Sequence, residues 1–154
     1  MTSYTWKSDK RADLVQLAGK YPNQKTPLPI GLECSGYIES VGEAVESLKV
    51  GDPVMSLLDG WVYWLSISTQ IRTLLSTKPL SFSGGQADMV NVNSDFVMPL
   101  KSDFSLEKAG GIAETFLTAY QLLHLVGEVQ PTDRVLVHAA GSGVGTSAIQ
   151  LGTV

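Results

Sequence analysis

The feature that most constrains this chain lies in its last quarter. Arg134-Val135-Leu136-Val137-His138 is a short apolar run, Ala139 to Gly145 a glycine loop, and Thr146 to Leu151 the start of a helical stretch. Strand, glycine loop and helix in that order open an α/β unit, in which a parallel strand needs a crossover and a neighbour to pair with. Within the loop, Gly141-Ser142-Gly143-Val144-Gly145 allows close backbone approach. The free N–H groups of a following helix favour an anionic phosphate. A glycine cluster in this setting points to a dinucleotide site. The spacing carries Ala148 where a third glycine is usual, and a strand-to-helix turn that holds no ligand is the alternative reading of the same residues.

Upstream, the pattern is β-rich with glycine punctuation. Met1 to Lys10 shows no periodicity, Arg11 to Gly19 reads as a short helical turn or loop, and Pro22, Pro27 and Pro29 interrupt regular structure. Gly31 to Val45 suggests a strand and a tight turn. Lys49 to Met55 is a turn into a second strand that Pro53 begins. Gly85 to Val97 reads as strand, turn and strand, with Ala87, Met89, Val90, Val92, Phe96 and Val97 apolar. Then the period changes. Ser105 is placed to cap a helix through Gly110. Ala113, Phe116, Leu117, Tyr120, Leu123 and His124 recur at helical spacing, and Gly127 is placed to end that helix.

Composition narrows the function. The 154 residues fit one domain more readily than two, and 44% hydrophobic residues can build a core. A net charge of −4 argues against a nucleic-acid binder. The first ten residues lack the apolar core of a secretory signal, and no run reaches the 18 apolar residues of a membrane span. Cys34 is the only cysteine. It can form no internal disulfide, which fits a reducing compartment such as the cytoplasm, and it reads as a small buried residue in preference to a nucleophile.

Laid out in this way, the sequence resembles the quinone oxidoreductase branch of the zinc-free medium-chain dehydrogenases/reductases. The resemblance runs through five ordered blocks: Arg11 to Leu14 with Gly19 to Pro22, Gly31 to Gly36, Lys49 to Val54, Leu117 to Tyr120, and Asp133 to Leu151. Phe116 to Val129 is most similar to the p53-inducible quinone oxidoreductase branch. The resemblance implies a mixed α/β fold. Residues 1–104 form part of a GroES-like β-barrel, and residues 105–154 form the junction helices and the first βα unit of a Rossmann domain that binds NADPH. It implies hydride transfer from NADPH to a quinone or a related α,β-unsaturated carbonyl, with enoyl or alkenal reduction as the neighbouring reading, and a family that is often dimeric. By position, Tyr21 matches a substrate-pocket tyrosine and Thr118 a threonine near the nicotinamide. Gly141, Ser142, Gly143, Val144 and Gly145 match the pyrophosphate loop. Tyr21 packing on the prolines and Thr118 as a helix-surface hydroxyl stand as the alternatives. Zinc-dependent relatives carry Gly-His-Glu where this chain has Gly31-Leu32-Glu33. Its two histidines, His124 and His138, fall in a helix and at a strand end, so no zinc is expected.

Three departures shape the expectations. Only ten unrelated residues precede Arg11, and Lys10 stands where the family usually has asparagine. Residues 61–83 read as an insertion, as a translated intron or gene-model error would give, with a genuine surface loop as the alternative. The Rossmann-like part comprises one strand, its loop and the start of a helix. The chain is therefore expected to bind NADPH weakly or not at all, to lack turnover and to expose apolar surface. A non-catalytic role as a regulatory or dimerisation partner is the reading from a different class.

Overall fold

A computed structural model of the protein describes residues 2–4, 11–21, 30–58 and 84–152. The chain divides into two compact units, Met1–Gly111 and Ile112–Val154. The expectations for Pro22, Pro27 and Pro29, for Lys10 and for residues 61–83 fall outside the described residues.

Among the described residues the first unit holds five strands: β1 (Thr2–Tyr4), β2 (Glu33–Ser40), β3 (Pro53–Leu57), β4 (Met89–Asn91) and β5 (Val97–Pro99). All pair antiparallel, in the order β4-β1-β2-β3-β5. The sheet is small and not closed. β1 is an addition to the sequence reading, which found no periodicity in the first ten residues. Three residues carry no readable periodicity, yet Ser3 pairs with Ile38 on one side and Val90 on the other. The strand–turn–strand expected over Gly85 to Val97 is present, with Ser94–Phe96 as a 3-10 turn. Its two strands do not pair with each other: β4 pairs with β1 and β5 with β3.

Alternation along the strands places the core. Cys34, Gly36 and Ile38 share a face of β2 with Ser56 and Val54 opposite them on β3, and Val97 of β5 lies opposite Ser56. Ile38, Leu48, Val54 and Val97 form one buried cluster; Cys34, Leu58 and Val90 form another. Glu33 and Ser35 project to the other face of β2 and are buried too. Ser35 is covered by the short helix α2 (Leu106–Ala109), whose Leu106 carbonyl accepts from Ser35 Oγ at 2.6 Å. Ser105 caps α2 as its sequence predicts, Oγ accepting from Lys108 N.

Helix α1 (Arg11–Leu17) is turned inside out. It buries Asp13 and Gln16 and exposes Leu14 and Leu17. Polar contacts hold it: Gly31 N donates to Gln16 Oε1 at 2.9 Å and Gln86 Nε2 to Asp13 Oδ2 at 3.2 Å. Gly31 has φ +112, and a Cβ there would lie 2.6 Å from Gln86 N. Only glycine lets the two backbones cross this closely. Gln86 N donates to Ile30 O across the crossing.

The second unit holds α3 (Ala113–Tyr120), which winds on as a π-helical turn over Gln121–Val126, and α4 (Gly143–Gly152). Gly127 ends the π turn as expected, its N–H donating to Leu122 O, but the left-handed residue is Glu128, at φ +48. The face of α3 differs from the one the apolar spacing suggests. Ala113, Thr115, Ala119 and Leu123 are buried, whereas Leu117 and Tyr120 are exposed. His124 is exposed as well and stacks at a tilt on Tyr120, ring centres 4.7 Å apart. Small side chains form the buried face because α4 approaches closely there.

Cys34 behaves as a buried core residue. Burial, reinforced by the neighbouring Glu33 carboxylate, pushes its thiol from the ordinary 9.0 up to about 12. Because the folded value lies above the unfolded one, the associated stability is complete below pH 9.0 and is lost as pH rises towards about 12. The native protein is expected to resist thiol reagents at pH 8 and to react once denatured. Thermal unfolding midpoints should fall between those pH values, less steeply in Cys34→Ala. Rapid labelling of the native chain would contradict the buried assignment.

Candidate cofactor site

The glycine loop takes the expected place before a helix, with one correction. Arg134 to His138 is not a strand, and none of its five residues makes a backbone hydrogen bond among the described residues. A β-strand exists only as one member of a ladder, and no partner segment lies beside this one among the described residues. The apolar run is therefore open to solvent, with Leu136 80% exposed.

Helix α4 begins at Gly143, three residues before the predicted start, because Ser142 caps it. Ser142 Oγ accepts from Gly145 N at 3.0 Å, and Ser142 O accepts from Thr146 N at 2.8 Å. The N–H groups of Gly143 and Val144, in the first turn, have no intrahelical acceptor. They form the donor pair that an anion at this helix end would meet. Farther along, Ser147 Oγ donates to Gly143 O at 2.9 Å, tying the buried side of the first turn.

The three loop glycines are there for different reasons. A Cβ at Gly145 would lie 2.5 Å from Ala139 O and 2.9 Å from Ala140 Cα; one at Gly143 would lie 2.8 Å from Thr115 Cγ2 on α3. Both are needed to pack the loop and the helix. Gly141 is different: a Cβ there meets nothing within 4 Å, and its φ lies outside the left-handed region. Internal packing does not demand glycine at 141, whereas close approach of an external group would. Ala139, at φ +52, is the strained residue that turns the chain into the loop. Ser142 N donates to its carbonyl at 2.9 Å.

Thr118 is half-buried on α3, three residues beyond Thr115, in the same unit as the loop. Thr115, which sets how close α4 comes to α3, went unnoticed in the sequence; a buried threonine opposite a loop glycine leaves no periodic signal. Tyr21 belongs to the first unit, half-buried beyond the left-handed turn at Gly19. Leu32 is 1% exposed, and its carbonyl accepts from Leu58 N at 2.7 Å. Among the described residues no group of three or more His, Cys, Asp or Glu side chains could hold a metal ion. No helix among them is long and apolar enough to cross a membrane.

The family model of the alcohol dehydrogenase GroES-like domain matches residues 6–102. A synaptic vesicle membrane protein VAT-1 homolog of Danio rerio is 34% identical over 142 residues, 91% of this chain and 24% of the relative. The crystal structure of a quinone oxidoreductase from Pseudomonas syringae pv. Tomato superposes with a TM-score of 0.71 at 25% identity, covering 97% of this chain and 40% of that one. A mycobacterial protein solved in complex with NADPH gives a TM-score of 0.73 at 27% identity, covering 98% of this chain and 40% of the other. The chain thus spans about a quarter of the length of that curated relative and two fifths of those structures.

The steric division among the glycines can be checked directly. Gly145→Ala and Gly143→Ala are each expected to lower unfolding free energy by about 1–3 kcal/mol, as overpacking does. Gly141→Ala is expected to change it by less than about 0.5 kcal/mol. Denaturant unfolding followed by circular dichroism reads all three, and equal losses would refute the division.

Proposed function

The chain belongs to the family of the alcohol dehydrogenase GroES-like domain, and from that premise we propose that it is an oxidoreductase of the quinone oxidoreductase type that uses NADPH. The observation that carries this reading is the glycine loop. Gly143 and Gly145 are fixed by packing, Gly141 stands open, and the Gly143 and Val144 N–H groups are available at the capped start of α4. That arrangement suits a dinucleotide pyrophosphate, the two N–H groups donating to phosphate oxygens and Gly141 allowing the backbone to come close. Bound NADPH supplies a hydride for the acceptor, while the protein supplies orientation and electrostatics.

In this reading Thr118 lies towards the nicotinamide, and Tyr21 lines the pocket of a small quinone or α,β-unsaturated carbonyl. On the same reading the reaction runs without zinc, since the buried Leu32 offers no ligand atom where the zinc-dependent branch carries a histidine. A cytoplasmic location fits the single buried thiol. Neither nucleic acid nor membrane enters as a partner, in keeping with the acidic charge. Assignment to the p53-inducible branch rests on Phe116 to Val129.

The open Arg134–His138 segment sets the expected strength. With no sheet beneath it among the described residues, the loop is packed against α3 and α4, and NADPH is expected to bind the 154-residue chain more weakly than micromolar, without turnover. Titration followed by NADPH fluorescence, with an ortho-quinone and an enone offered as acceptors, tests this. Weak saturation that pyrophosphate competes away supports the reading. No binding at millimolar NADPH by a chain shown to be folded would sink the cofactor assignment. Tight binding with quinone-dependent oxidation would show that the loop is organised without the sheet. Oxidation with the enone alone would move the activity to enoyl or alkenal reduction.

A further inference from the structure

We draw no further inference here: the strongest candidate, the exposed apolar face of helix α1 formed by Leu14 and Leu17, carries nothing, because nothing among the described residues shows what covers it.

Discussion

The first unit depends on a crossing of two backbones. Gly31 passes so close to Gly85 and Gln86 that no side chain could stand at position 31. The crossing is held by hydrogen bonds from Gly84, Gly85 and Gln86 to the carbonyls of Ile30 and Gly31. Helix α1 locks it from outside through Gln16 and Asp13. Everything that follows in β2 takes its position from there, including the buried run Leu32-Glu33-Cys34-Ser35. A buried polar pair is costly unless satisfied, so α1 keeps its inverted orientation, burying a carboxylate and an amide while its leucines face water. Hydrophobic burial does not orient this helix; the donors at Gly31 and Gln86 do.

The second unit depends on a smaller contact of the same kind. Thr115 of α3 touches the place where a side chain at Gly143 would project, and Ala139 O and Ala140 do the same at Gly145. Gly143 therefore sets how closely α4 approaches α3, Gly145 sets how closely the loop folds onto the first turn of α4, and the Ser142 cap completes the loop's shape. The backbone cost of Ala139 at positive φ, of order 1 kcal/mol, is borne where the chain turns towards the proposed phosphate position. Backbone strain at such a turn is common at ligand sites. Among the described residues Arg134–His138 has no ladder. One region thus combines an ordered loop with an unsatisfied approach to it.

Much of this was legible in the sequence, and the exceptions have physical reasons. Pro53 starting a strand, Ser105 capping a helix, and Cys34 buried among apolar residues all follow from local chemistry, and all three occur. The early start of α4 was missed because a serine between two glycines reads as loop until its hydroxyl is seen to cap Gly145. The face of α3 was misjudged for the opposite reason. Large residues such as Leu117 and Tyr120 dominate any periodicity count, but close helix approach selects small ones, Thr115 and Ala119. β1 went unread since three residues in a sheet are placed by their neighbours. Arg134–His138 failed as a strand because pairing is a property of two segments, and composition describes only one.

The central claim is that Gly141 to Val144 forms a phosphate-binding turn. Amide chemical-shift mapping of the isotopically labelled chain during addition of millimolar NADPH tests it most directly. The account predicts that the largest shifts fall on Gly141, Ser142, Gly143 and Val144, with inorganic pyrophosphate reproducing them and with small changes elsewhere. Shifts confined to the first unit, or a spectrum of folded protein that NADPH leaves untouched, would contradict it.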